Sequence, residues 1–270
     1  ASPDPALDEV TVTGRLEETL PQELSRYGSR VDTISSDQVE RGGYNDVAQT
    51  VQALTTQLYH PLSQLYVQQY FTDTTRREIT QMVGHIKAEF ARRLKTNPWL
   101  DAPTRAAALA KLAQVDIQVG HPKRWIDFTS VDIRVDDHLG NNQRVAAFKL
   151  QRDLDKVGKP AVPERFADAG HTTPTSVNAA YDTAFNGIDI TAAIAQPPFF
   201  TPGADPVVNY CTMGAVVGHE LTHGFDSTGR QYDAKGNLRD WWTPQATAEF
   251  KKRNDQLVAQ YNQFQLLPGL

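Results

Sequence analysis

Residues 216–226 read Val-Val-Gly-His-Glu-Leu-Thr-His-Gly-Phe-Asp, with His219 and His223 four apart and Glu220 between them. On an α-helix, side chains four apart leave from nearly the same side. Both imidazoles then present a nitrogen to one ion at about 2.0–2.1 Å. Glu220 lies roughly 100° round the helix from His219, better placed to hold a water than to bind the ion. The chemistry needs this division of labour. Zinc lowers a water's pKa towards about 7 and polarises a scissile carbonyl, while the carboxylate accepts the water's proton. The bare pattern leaves a plainer alternative open, two hydrogen-bonded histidines in a buried helix. The preceding Val-Val-Asn-Tyr-Cys-Thr-Met-Gly-Ala-Val-Val-Gly, residues 207–218, is apolar enough to predict a buried helix that holds the histidines in a dry site.

The chain around this stretch has 270 residues, enough for one large or two modest domains. A net charge of −5 argues against a dedicated nucleic-acid binder. No apolar run reaches the roughly 18 residues that span a bilayer, so no transmembrane segment is expected. A single cysteine, Cys211, excludes an internal disulfide framework and a cysteine-rich metal site. The N-terminal Ala-Ser-Pro-Asp-Pro-Ala-Leu-Asp-Glu lacks a charged leader and an apolar signal core, which leaves the compartment open.

Two textures divide the sequence. Up to about residue 58, short alternating segments such as Glu-Val-Thr-Val-Thr-Gly-Arg read as strands, and 44–58 reads as a helix with Val47, Val51 and Leu54 on one face. From Pro61 the pattern becomes long amphipathic helices. One runs over 77–97 with Ile79, Met82, Val83, Ile86, Phe90 and Leu94 on a stripe, stopped by Pro98. Asp101 and Pro103 open the next. Ala147, Leu150, Leu154 and Val157 continue the pattern over 141–157, and 161–205 reads as loops with short strands. Asp205-Pro206 starts the helix carrying the histidines. Thr243-Pro244 starts another, with Phe250, Leu257, Tyr261 and Phe264 facing inward. The expected fold class is mainly α (α+β), with residues 59–270 as the principal domain and 1–58 as a small α/β segment.

Residues 216–244, with Gln-Pro-Pro-Phe-Phe at 196–200 and Ser-Val-Asn-Ala-Ala-Tyr at 176–181, resemble the neprilysin family of zinc metallopeptidases. Residues 61–71 and 104–128 are similar to the helical part of the same family. The resemblance implies an incomplete zincin-like catalytic region and peptide substrates, cleaved by Glu-assisted attack of a zinc-bound water. It implies Zn2+ as cofactor, His219 and His223 as its ligands, and Glu220 as general base. Asp226 would be the carboxylate that orients a ligand histidine. Asn178 and Ala179 match the pair that hydrogen-bonds a peptide backbone as if it were an added strand. Read without the family, Asp226 is a turn residue after Gly224, and Asn178 a loop residue.

In that family the third ligand is a glutamate on a later helix, in a Gly-Glu-Asn-Ile-Ala-Asp-like segment, followed by an oxyanion-stabilising histidine and arginine. None of these lies within the sequence up to Gln-Leu-Leu-Pro-Gly-Leu. Other zinc-peptidase spacings fall on Gly229 and Thr243, which are not ligands. Glu249 and Asp233 remain as improvised candidates, with His60, His85, His121, His138 and His171 far away in sequence. Weak or absent activity is therefore expected of these residues alone, as is weak zinc binding. Smaller departures are Ala180, Cys211 and Thr212, Ser227-Thr228, and Gly187, Asp189 and Thr191 in the edge-strand region.

Residues 7–55 resemble the start of the plug domain of TonB-dependent outer-membrane receptors, although the alternating ten-residue segments of a barrel do not follow. A junction near 56–61 between pieces of two envelope proteins would explain both textures. It implies a bacterial cell envelope (periplasm) or secreted location. The competing function is a non-catalytic peptide-binding or transport-related fragment.

Overall fold

The computed structural model describes residues 58–160, 162, 164–166 and 172–264. The strand and helix expectations for residues 1–57, and the whole plug-like segment, lie outside the described residues. Helix α1 (Tyr59–Tyr70) leads into α2 (Asp73–Thr96), whose N-terminus is capped by the Thr72 hydroxyl accepting from the Thr75 N–H at 3.1 Å. The expected apolar stripe faces the core here: Ile79, Met82 and Val83 are buried, and Ile86, Phe90 and Leu94 pack at its margin. Helix α3 (Ala102–Gln114) begins as its sequence predicts, with Pro103 in the first turn and the Asp101 carboxylate accepting from the Thr104 N–H at 2.9 Å.

Strand β1 (Asp116–Gly120) follows α3 directly. Helix α4 (His138–Leu154) comes next, then β2 (Ala179–Asp182) and β3 (Gly187–Thr191). The three strands form one sheet in the order β1-β3-β2. β1 runs parallel to β3 (Ile117 opposite Ile188), and β2 antiparallel to it (Tyr181 opposite Ile188). Every residue of β3 is buried, as expected of a central strand. Gly187, Asp189 and Thr191 therefore sit on the central strand of the sheet rather than on an edge, the edges being β1 and β2. Asp189 is tolerated inside because Arg165 Nε donates to its carboxylate at 2.6 Å and the Phe166 N–H at 2.9 Å. Thr191 Oγ1 donates to the Asn178 carbonyl at 2.7 Å.

The helix expected from Asp205 breaks in two. Asp205 caps α5 (Pro206–Cys211) by accepting from the Val207 N–H, and α6 (Met213–His223) starts afresh after Thr212. The break has a cause in hydrogen bonding: the Thr212 hydroxyl and the Met213 N–H both turn to the Phe199 carbonyl. Burial of 207–218 is accordingly partial. Val207, Val208 and Tyr210 are exposed, whereas Met213, Val217 and Leu221 are fully buried against α2 and the sheet. The last helix, α7 (Pro244–Tyr261), is capped by Thr243.

Two predicted faces point the other way. On α4, Leu150 and Leu154, with Val157 just beyond the helix, are exposed; Val145 is the buried residue, and Phe148 packs on Phe128. On α7, Phe250 joins Trp99 and Trp242, but Leu257, Tyr261 and Phe264 lie past that cluster and are exposed. Both stripes have a correct helical period. Periodicity sets which residues share a face, not whether a neighbour covers it. The fold class is mainly helical with a small sheet, as the sequence predicts, and among the described residues no helix is long and apolar enough to cross a membrane.

His60 gives the packed state a pH dependence. It is 3 % exposed, and its Nδ1 accepts the Ile126 N–H at 3.3 Å, which requires an unprotonated nitrogen. Burial, aided by the nearby Arg152 charge, lowers its pKa from the ordinary 6.5 to about 4. The unfolded chain therefore takes up this proton first. The contribution is fully present above pH 6.5 and is lost as pH falls towards 4, at a cost of about 2–3 kcal/mol. Urea unfolding at pH 7, 5 and 4 should show this slope, and His60→Asn, which keeps an acceptor without a titrating proton, should remove it.

Candidate metal half-site

One turn of α6 places its two imidazoles side by side. His219 Nε2 and His223 Nε2 are 3.0 Å apart, with the rings edge to face at 86°. The helix is fixed from beneath by Val217 and Leu221, but the histidines lie on its solvent side, so the dry site expected from the apolar segment is not what the described residues form. His219, Glu220 and His223 offer ligand atoms that all lie within 4.8 Å of one another, and they form the one such group of three among the described residues. His219 is exposed, Glu220 buried and His223 intermediate.

The chain reverses after His223 and brings Asp226 back onto it. Asp226 Oδ2 accepts from His223 Nδ1 at 2.8 Å, while Oδ1 accepts the N–H groups of Thr228 and Gly229 at 2.9 and 2.7 Å. Burial would raise the Asp226 pKa, but these donors outweigh it and hold the carboxyl below its usual range. With Nδ1–H given to a carboxylate, Nε2 of His223 is left as the lone-pair nitrogen, facing His219.

Glu220 points to the sheet side of the helix. Its Oε2 accepts the Tyr181 N–H at 2.9 Å, a bond from edge strand β2. Burial raises its pKa, against the pull of the His223 and His219 charges and the Tyr181 N–H. A carboxylate held in this way is engaged by one donor at one oxygen and is a more willing proton acceptor than an exposed one. Ala179 opens β2 and Asn178 directly precedes it: Asn178 Oδ1 accepts the Ala179 N–H at 2.9 Å, and the Asn178 carbonyl is tied to Thr191. They stand three and two residues before Tyr181, at the start of the strand that packs beside α6. Neither Asn178 nor Ala179 is hydrogen-bonded to the two imidazoles.

The donor set suits zinc. Two neutral imidazole nitrogens on a tetrahedral ion at the usual bond length stand about 3.3 Å apart, close to the spacing observed. Among the described residues the improvised third ligands lie elsewhere: Asp233 accepts from the Lys235 and Asn237 N–H groups, and Glu249 pairs with Arg253 on α7. His60, His85 and His121 are likewise engaged with Ile126, Tyr210 and Pro122. Sequence reasoning missed Tyr181. The alternation of β2 was the available signal, since it turns the N–H of every second residue off the ladder.

Models described as Peptidase family M13 match residues 17–122 and residues 178–269, together well over half of the sequence. The chain belongs to peptidase family M13. An endothelin-converting enzyme homolog of Locusta migratoria is 35 % identical over 74 % of this chain. Neprilysin-11 of Caenorhabditis elegans is 33 % identical over 74 %. The chain spans only 28 % and 24 % of the length of these curated relatives. Among solved structures, the inhibitor-bound zinc metalloprotease ZMP1 of Mycobacterium tuberculosis superposes with a TM-score of 0.72 at 36 % identity, covering 82 % of this chain and 33 % of that one. PepO of Lactobacillus rhamnosis gives a TM-score of 0.64 at 30 % identity, covering 74 % and 32 %. Its lineage is therefore that of a peptidase family, and the solved neighbour ZMP1 is a zinc metalloprotease. The M13 match over 17–122 runs through the boundary drawn at residue 58, and these comparisons lend no support to the receptor-plug resemblance.

Proposed function

We propose that the chain carries the metal half-site and peptide-recognition strand of a zinc-dependent metalloendopeptidase. The observation that carries this reading is the pair of Nε2 atoms 3.0 Å apart with the Glu220 carboxylate beside them. His219 and His223 would hold Zn2+, which when bound supplies Lewis-acid polarisation of a scissile carbonyl and a more acidic water. Asp226 keeps the His223 ring in the tautomer that leaves Nε2 free. Glu220 accepts the attacking water's proton at its carboxylate, with its position set by the Tyr181 N–H. Asn178 and Ala179 would bind a peptide substrate along the edge of β2, where an extended backbone adds as a strand.

Residues 59–270 would form this partial peptidase domain, and the M13 match extends the likeness towards the N-terminus. A bacterial envelope or secreted location is part of the same proposal. Activity of these residues alone should be weak. The described donors are two neutral imidazoles and a carboxylate already engaged by a backbone N–H, so little negative charge offsets the ion. Calorimetric zinc titration is expected to show one weak site, and peptide cleavage should be slow or undetectable. Tight one-to-one binding with cleavage abolished by Glu220→Gln would show that the half-site suffices and overturn the weak-activity proposal. No zinc binding at all would overturn the metal site.

A further inference from the structure

Lys111 lies on the buried face of α3 with Thr104, Ala108 and Leu112, and is 1 % exposed. A lysine in such a place must satisfy three N–H donors. Its Nζ donates to the carbonyls of Gly224, Gly229 and Tyr232 at 2.7, 2.6 and 2.7 Å. All three acceptors belong to the loop that leaves the histidine helix. The rings of Tyr181, Phe225 and Trp241 surround the ammonium at 5.8–5.9 Å. The cation thus gathers the start, middle and end of one loop onto a single point. Asp226 lies between the first two of those anchors, and its own orientation is set by the Thr228 and Gly229 N–H groups.

We infer that Lys111 is a positioning residue for the metal half-site, pinning the 224–232 loop so that Asp226 faces Nδ1 of His223. This rests on the metallopeptidase reading. Burial alone requires only that the three donors be met; that all three acceptors come from the one loop carrying Asp226 is what fixes the carboxylate against the ring. The helix carrying Lys111 is distant in sequence from the histidines, so the pin couples the helical part of the fold to the site.

The test uses the full 270-residue chain and two readouts: the ring-nitrogen NMR shifts of His223 in metal-free protein, and zinc affinity by competition with a chelating dye. The wild-type ring is expected to be locked with its proton on Nδ1. Lys111→Met, held at a temperature where it remains folded, should give a mixture of tautomers and bind zinc about 10- to 100-fold more weakly. Asp226→Asn should cause a similar loss, and the double variant no more than either. A folded Lys111→Met chain with the wild-type tautomer and zinc affinity would overturn the inference, as would losses that add to those of Asp226→Asn. If Lys111→Met does not fold, Lys111→Arg takes its place in both measurements. The same losses are expected of it, because a rigid planar fork cannot aim three donors at three converging carbonyls, and a wild-type tautomer and affinity would again overturn the inference. The wild-type chain in mild denaturant supplies a third arm: amide protection of Gly229 and the His223 lock should be lost together. A lock that outlasts the opening of the loop would overturn the inference. A wild-type chain that binds no zinc defeats the metallopeptidase reading, but leaves the tautomer arm, which needs no metal, to judge Lys111.

Discussion

Replacing His223 with alanine is expected to abolish measurable one-to-one zinc binding while leaving the fold intact. The separation of the two effects follows from where the side chain sits. Its ring is 44 % exposed and packs into no core cluster, so truncation leaves no buried cavity. Binding, by contrast, loses one of two imidazoles and with it the carboxylate-oriented one, since Asp226 acts on the ion only through Nδ1 of this ring. A single remaining imidazole, His219, is no better a zinc ligand than any exposed histidine. At least a roughly 100-fold loss of affinity is expected from removing a ligand together with its outer partner. Calorimetry on His223→Ala and on the control His85→Ala measures it; His85 bonds Tyr210, is not one of the grouped ligands and should change nothing.

Gly229→Ala should have the larger effect on stability. The loop returns so closely under the end of α6 that a Cβ at residue 229 would lie 1.8 Å from the His223 carbonyl oxygen and 2.9 Å from the Gly224 carbonyl carbon. Neither obstacle is the tip of a flexible side chain; both are backbone, and the Gly229 carbonyl is itself held by Lys111. Relief requires the loop or the last turn of the helix to move by more than an ångström. Overpacking on that scale costs about 3 kcal/mol or more, which in a chain of this size is a fall in melting temperature of about 6–12 °C. The same displacement draws the Gly229 N–H away from Asp226, so zinc affinity should fall with it. Thermal unfolding and zinc titration of one variant read both consequences.

Much of this site was legible in the sequence. The i, i+4 spacing of His219 and His223 on an apolar segment determined a helix and a shared direction, whereas Asp226 was marked only by the family resemblance, its position after Gly224 reading otherwise as a turn. The caps at Asp101, Asp205 and Thr243 were equally readable, because each is a polar side chain before a proline-opened helix. What could not be read was tertiary. The exposed stripes of α4 and α7 have the same period as buried ones. Thr212 breaks the predicted helix because the Phe199 carbonyl, distant along the chain, offers a better acceptor. β1 passed unnoticed within a segment read as helical, since Asp116–Gly120 gains its strand character from pairing with β3. Lys111 left a trace, a charged residue on the apolar stripe of α3, but its partners lie more than a hundred residues away. The role of Tyr181 is a backbone contact, and the alternation of β2 marks only that its N–H could leave the ladder, not that Glu220 would accept it.

X-ray absorption at the zinc edge, recorded on the metal-loaded chain and on His223→Ala, tests most directly whether α6 aims two ring nitrogens at one ion. Two imidazole scatterers at about 2.0–2.1 Å with oxygen donors completing the shell are expected in the wild type. The same oxygen-only shell in both proteins would contradict the account.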